Sequence, residues 1–578
     1  MAGGTALDQA TGAETLAEMV LECAKRYDGP ALKYKEDGDW KELSYSELGE
    51  AVKEIAGGLI ALGIEPGERV ALLSETRAEW TLADLGGICA AAAVVPIYQT
   101  ASAEEAGHVL EDSEARLVFC ENGDQLETAR EAAEGLNVEH FVLFEGEDEN
   151  AITLDELRER GRDAVDQVDE RVGSVSSDDV FSLIYTSGTT GPPKGCILTH
   201  GNYRADCEAG EQVFEMEEDA VVFIFLPLAH ALTRVTQMVA LDVGATIAYW
   251  ERDKEKAMDN LREVKPTHFP SVPRIFEKIE EEARKQAGGG LKEKIFDKAI
   301  DIGLKVRRLE HEGEEPGFLL KQEYELADKQ VLSKVRELFG GNLHYAMTGA
   351  APVSKELLEF FWACDVLILE GYGATETSAV ATVNPPDEFR FGTVGKALPG
   401  TEVRIADDKD DDGRGEILVK GPHVFQGYHG LEQKTKESFD DSWFKTGDLG
   451  TMDDDGYLKV TGRAKEIIVT SSGKNVTPTN IEEKIEAGDG VEQAVVFGDD
   501  RPYLVALVAG KDGADESQVQ KAIDSANKDL AKIEQVKKFK LLDRELSQGE
   551  GELTPTMKVK REKVQENFEE EIEALYDD

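Results

Sequence analysis

Six short apolar runs, RVALLS (69–74), AVVPIY (93–98), RLVFC (116–120), HFVLFE (140–145), FSLIYT (181–186) and VVFIFLPL (221–228), alternate with stretches of helical character. That alternation constrains the fold more than any other feature of the chain. Runs rich in β-branched and aromatic residues read as strands, and near-continuous apolar strands separated by helices need a sheet covered on both faces. The expectation is an α/β protein with largely parallel sheets, whose ligands bind at the carboxyl ends of strands. At 578 residues the chain exceeds what one core can serve and suggests about four domain-sized units.

The pattern changes along the chain. Leu85 to Ala103 is uncharged but contains Pro96 and ends in polar residues, so it reads as a buried helix running into a strand, and no transmembrane segment is expected. Residues 274–335 read as an inserted, highly charged helical hairpin interrupted at Gly288–Gly290. From about 390 short strands broken by turns form a β-rich subdomain, with Asp407–Asp412 as a solvated hairpin tip. After Gly462, strand-like EIIVTS, QAVVFG and YLVALVAG mix with amphipathic stretches in a small α+β domain.

Charge narrows the partners. With 117 acidic against 64 basic residues the formal net charge is −53, which repels nucleic-acid phosphates and anionic headgroups. No nucleic-acid partner is expected; a dense carboxylate surface also fits a salty cytosol. Cys23, Cys89, Cys120, Cys196, Cys207 and Cys364 form no C-x-x-C pair, so neither a disulfide framework nor a zinc site is indicated and a reducing cytoplasm is expected. The amino terminus lacks the basic start and apolar core of a signal peptide.

FSLIYT runs directly into YTSGTTGPPKG (185–195). Gly188, Gly191 and Gly195 allow close backbone approach, and Thr186, Ser187, Thr189 and Thr190 offer hydroxyls beside a single charge, Lys194. Such a stretch can wrap a phosphate with main-chain N–H groups. It is not a P-loop, because Lys194 is preceded by Pro193 and followed by Gly195 instead of Ser or Thr. Two basic clusters survive in this acidic chain: Lys459, Arg463, Lys465 and Lys474, and Lys558, Lys560, Arg561 and Lys563. Focused positive potential of that kind attracts a polyanion to one site.

Taken together, the motifs resemble those of the adenylate-forming superfamily of acyl-CoA synthetases, adenylation domains and luciferases. YTSGTTGPPKG resembles its phosphate loop, LPLAH (226–230) its acyl-pocket element, and TGAAPVS (348–354) and GYGATETS (371–378) its adenine and magnesium motifs. TGD (446–448) resembles its ribose motif, GRAKE (462–466) its hinge and LTPTMKVKR (553–561) its C-terminal lysine motif, all in the family's order. SVPRIFEK (271–278), the helical insertion and EIIVTSSGKNVTP (466–478) resemble the long-chain fatty acyl-CoA synthetase branch.

The resemblance implies a large N-terminal domain (1–462) of two doubly wound αβα subdomains plus the β-rich subdomain, followed by a small mobile α+β domain (463–578). It implies ATP-dependent activation of a fatty acid to acyl-AMP and transfer to CoA, with Mg2+ as the ion. Thr186, Ser187, Gly188, Thr189, Thr190 and Lys194 would hold the β- and γ-phosphates, Thr375 the α-phosphate and Glu376 the magnesium ion. Gly349, Ala350 and Tyr372 would meet the adenine, and Asp448 with Arg463 the ribose. His230, Gly371 and Gly373 are substrate-binding positions. Lys558 takes the adenylation-lysine position although Met557 replaces the usual glycine, and Lys560 competes for it. Lys465 would be the hinge and Gly473 a close-approach point for pantetheine. A carrier-loading ligase, a ligase for shorter or aryl acids and a nucleotide-binding regulator are alternatives; peripheral membrane contact and oligomers are left open.

Overall fold

The computed structural model describes residues 10–186, 192–288, 290–410, 413–471, 474–511, 513–554 and 558–577. The strands Arg69–Leu73, Ala93–Ile97, Leu117–Cys120, His140–Leu143 and Val180–Thr186 run parallel through the middle of an eight-stranded sheet. Their apolar runs are explained by burial on both faces. Val70, Leu72 and Val94 pack into one hydrophobic cluster, whereas Ala71, Leu73 and Val95 pack into another on the opposite face.

A nine-stranded sheet forms the second layer system. Its parallel part joins Val221–Ile224, Thr246–Tyr249, His268–Ser271, Tyr345–Thr348 and Ile368–Tyr372. Both sheets are mixed at their edges. Lys194–Thr199 folds back antiparallel on Val180–Thr186, and Gly427–Tyr428 adds to it antiparallel. The phosphate-loop motif therefore joins two paired strands, because the chain reverses through it and reuses the same sheet edge.

The insertion is more than a hairpin. Helices Pro273–Ala287, Leu291–His311 and Phe318–Ala327, then a π-turn and Ser333–Glu337, bury Phe276, Phe296 and Leu332 in one aromatic-rich core. The β-rich region consists of Glu402–Ile405, Gly415–Lys420, Phe439–Asp440, Trp443–Met452 and Leu458–Arg463. Asp407–Asp410 lies in the connection between its first two strands, and 411–412 lie outside the described residues. The C-terminal unit packs helices Pro478–Glu486 and Glu516–Ala526 on a three-stranded sheet, Val491–Phe497, Leu504–Gly510 and Val536–Leu542.

No helix among the described residues is long and apolar enough to cross a membrane. All six cysteines are buried and unbridged.

Candidate active site

Three strand ends and the β-rich region meet at one cleft. Val180–Thr186 ends at Thr186, which pairs with Lys194 across the hairpin. Ser187, Gly188, Thr189 and Thr190 lie outside the described residues, as does Gly473. Tyr345–Thr348 ends at Gly349 and Ala350, and Ala350 holds φ at +68°. An L-residue pays about 1–2 kcal/mol for that conformation, and strain of this kind gathers at ligand sites.

Ile368–Tyr372 carries Gly371 and Tyr372 and turns at Gly373. A Cβ on Gly373 would lie 2.0 Å from the Ala379 carbonyl oxygen, so the turn admits only glycine. The turn Thr375–Thr377 follows, closed by Thr377 Oγ1 accepting from the Ala374 N–H at 2.9 Å. Tyr372 donates its hydroxyl to Asp448 Oδ2 at 2.7 Å, and Arg463 Nε meets Asp448 Oδ1 at 3.0 Å. Asp448 and Arg463 face each other in register on adjacent strands, which fixes the pair by main-chain pairing. Burial, then the Asp448 charge, raises the Tyr372 phenol well above its ordinary pKa, so it stays a donor.

Lys558 enters from the C-terminal unit. Its N–H donates to Thr554 Oγ1 at 3.0 Å and its carbonyl accepts from the Thr554 N–H at 2.8 Å, so the Lys558 backbone is pinned to Thr554. Burial lowers the ammonium pKa; the Arg463 charge pushes the same way, while Asp448, Glu466 and Glu376 oppose it. Lys558 thus completes a mixed charge cluster with residues of the large domain. The two basic clusters of the sequence converge only in part. Arg561 turns away to grip Glu482 at 2.7 and 2.9 Å, and Lys563 pairs with Glu566. Lys560 caps the helix Arg561–Asn567 and donates its N–H to the Glu552 carbonyl at 2.7 Å.

His230 is the N-cap of the helix Ala231–Asp242, its Nδ1 accepting from the Leu232 N–H at 3.3 Å. Burial, assisted by the Lys558 charge, lowers its pKa to about 4, so the ring is neutral and lies within the lysine's field. Lys465 sits exposed in the turn Ala464–Glu466 that joins the β-rich region to the C-terminal unit.

A magnesium ion fits this donor set. Among the described residues no three His, Cys, Asp or Glu side chains gather as a metal cage. A single carboxylate, Glu376, with substrate phosphates for the remaining ligands is how Mg2+ is ordinarily held. One Glu376 oxygen, Oε1, accepts from the Tyr428 hydroxyl at 2.8 Å. Tyr428 carries no sequence signal beyond a Gly-Tyr step in a turn-rich stretch, and sequence reasoning passed over it.

A strand-end cleft with nucleotide-shaped motifs, completed by a lysine from a second domain, defines the adenylate-forming class. Residues 21–429 match the model of the AMP-binding enzyme family, and residues 465–578 match that of the AMP-binding enzyme C-terminal domain. The chain is 37% identical to the long-chain-fatty-acid–CoA ligase FadD15 of Mycobacterium bovis, over 97% of each chain. It is 32% identical to the long-chain-fatty-acid–CoA ligase ACSBG2 of Xenopus laevis, over 98% of this chain and 84% of that one. The structure of ATP-bound MatB from Rhodopseudomonas palustris superposes with a TM-score of 0.71 at 25% identity, covering 96% of this chain and 99% of that one. The chain belongs to the AMP-binding enzyme family.

Proposed function

We propose that this protein is an AMP-forming long-chain fatty acid–CoA ligase. The observation that carries the reading is Lys558, delivered by the C-terminal domain into the field of Glu376 and Asp448 of the large domain, beside Arg463 at the joint between the two. The full-length similarity to two long-chain-fatty-acid–CoA ligases supports the substrate class. We take residues 1–462 as the adenylation domain and 463–578 as the mobile domain, working in the cytoplasm.

A thiol does not expel oxide from a carboxylate at neutral pH, so the acid must first acquire a leaving group. A carboxylate oxygen attacks the α-phosphorus of ATP, the bond to the bridging oxygen breaks, and pyrophosphate leaves. Here the protein's task is positioning and charge stabilisation. Lys194 and the 186–190 hydroxyls and amides hold the β- and γ-phosphates, and Thr375 contacts the α-phosphate. Asp448 accepts from the ribose hydroxyls while Tyr372 and Arg463 fix its orientation; Gly349 and Ala350 leave room for the adenine. Lys558 reaches between the carboxylate and the α-phosphate, where negative charge grows.

Mg2+, held by Glu376, would neutralise phosphate charge. Neutral His230 with Gly371 and Gly373 lines the acyl side; a fatty acid is already ionised and needs no base. In the second half-reaction the C-terminal domain turns about Lys465, withdrawing Lys558 and bringing Gly473 to the pantetheine path. The CoA sulfur then attacks the acyl carbon and AMP leaves.

The test is AMP release from MgATP with carboxylates from acetate to oleate, each with and without CoA. CoA-dependent release peaking at long chains is expected. A peak at short or aryl acids overturns the substrate class, and accumulation of acyl-AMP indifferent to CoA would point to a carrier-loading ligase.

A further inference from the structure

The segment 422–429 binds two parts of the cleft that are far apart in sequence. On one side, Ser378 Oγ donates to the His423 carbonyl at 2.7 Å and the Phe425 N–H donates to the Glu376 carbonyl at 2.9 Å. On the other, the Gln426 N–H donates to the Ile197 carbonyl at 3.1 Å and the His429 N–H to the Gly195 carbonyl at 2.8 Å. Asn202 Nδ2 adds bonds to the Pro422 and Val424 carbonyls at 2.7 and 3.0 Å. This strap fixes the strand that starts at Lys194 against the turn that carries Glu376. Gly427, at φ +143°, leaves no room for a side chain, since a Cβ would lie 2.5 Å from Thr435 Cγ2.

Tyr428 is the one side chain of the strap that touches both functional groups. It is 7% exposed, held by its ladder pairing with Cys196 and by its N–H donating to Thr435 Oγ1 at 2.9 Å. Its hydroxyl donates to Glu376 Oε1 at 2.8 Å, and the Lys194 ammonium lies 4.9 Å from its ring centroid. Phe425 packs edge-on against that ring at 4.9 Å and fixes its plane. One phenol therefore orients a carboxylate through its oxygen and seats an ammonium on its face. It touches two opposite charges at once, and its bond to Oε1 leaves Glu376 Oε2 free of the phenol.

We propose that Tyr428 is a positioning residue for adenylation, setting the separation of Lys194 and Glu376 so that nucleotide polyphosphate and its divalent cation fit between them. The proposal rests on the adenylate-forming reading of the cleft. Groups that orient a metal-binding side chain typically contribute 10–100-fold to metal affinity.

The experiment compares the full-length protein with Tyr428→Phe, which deletes only the hydroxyl, and Tyr428→Leu, which also deletes the aromatic face. Mn2+ binding to the enzyme–ATP complex is read by electron paramagnetic resonance, and AMP and metal-free ATP binding by calorimetry. Tyr428→Phe is expected to weaken Mn2+ about tenfold, leave AMP affinity and the melting temperature unchanged, and regain its rate at high Mg2+. Tyr428→Leu is expected also to weaken metal-free ATP. Unchanged Mn2+ affinity in Tyr428→Phe overturns the proposal, as does an equal loss of AMP and Mn2+ binding that added metal does not rescue, which marks a merely structural residue. Failure of the underlying reading shows differently: the unmodified protein would then bind no metal–ATP at all.

Discussion

The two walls of the cleft are assembled by different physics. The Lys194–Glu376 wall is stitched by main-chain pairing: antiparallel ladders on Lys194–Thr199 and the carbonyl contacts of the 422–429 strap. The Lys558 wall is seated on the large domain largely by side-chain charge. Arg274 pairs with Glu492 and Lys511 Nζ meets Glu281 Oε1 at 2.5 Å, while the Glu483 charge repels the buried Glu370 carboxylate across the joint. Ladder bonds break only together, whereas exposed ion pairs are worth roughly 0–1 kcal/mol each and can be exchanged singly. The contrast teaches that one wall is built to hold a geometry, whereas the other is joined by contacts that the proposed domain rotation can release.

The sharpest way to break the comparison is Lys558→Ala. Loss of a group that stabilises transition-state charge costs about 10²–10³ in rate, and that loss is expected in acyl-AMP formation only. Thioester formation from supplied acyl-AMP should persist. Single-turnover assays of each half-reaction check this, and equal loss in both would remove Lys558 from the adenylation role. Lys465→Pro should give the mirror image. Proline restricts φ at the joint, so adenylation survives and thioesterification falls; survival of both would move the hinge elsewhere.

A pH series sharpens the same contrast. Burial, then the Glu483 charge, raises Glu370 to about 8. Burial, then Glu482, raises Glu483 to about 7, with Lys459 opposing. Swung apart, Glu370 loses the Glu483 charge and that part of its upward shift, so docking takes up protons. The docked arrangement is therefore favoured at low pH and weakens as pH rises toward the docked Glu370 value of about 8, by at most about tenfold per pH unit for one proton taken up. Fluorescence transfer between labels on the two domains should follow this sign, and Glu370→Gln should flatten it. A docked fraction that rises with pH between 5 and 8 would sink the account.

The smallest effect is expected of Lys511→Ala. Its pair is about half exposed on both sides, so docking should weaken by less than about 1 kcal/mol and the difference should fade in molar salt.

What the sequence made legible follows from which partners are neighbours in the chain. The parallel strands could be read because each carries its whole apolar signal within a few residues, and Thr375, Glu376, Asp448 and Arg463 could be proposed as site residues because their motifs are contiguous. Tyr428 could not, since its bond to Glu376 spans 52 residues and exists only through sheet pairing. The helix cap made by the His230 ring was not legible either, since the residue follows an apolar strand. One reading changed for a local reason. The 274–335 segment reads as a hairpin because Gly288–Gly290 marks one break, but the turn between His311 and Phe318 adds another. The charged seat of the C-terminal domain is spread over Arg274, Glu281, Glu370, Glu483 and Glu492, none of which stands out in so acidic a chain.

The buried cysteines bear on chemoselectivity. An acyl-adenylate reacts with any thiolate it meets, and this protein has six thiols of its own. Burial pushes each of them up, Cys89 and Cys120 to about 12, so they remain protonated as well as shielded. Cys196 is held there further by the Glu376 charge, in the strand that begins at Lys194. The chain thus offers its activated intermediate no sulfur nucleophile to compete with CoA and is protected from acylating itself. The same silence makes an engineered surface cysteine the sole reactive thiol, a ready handle for attaching probes to either domain.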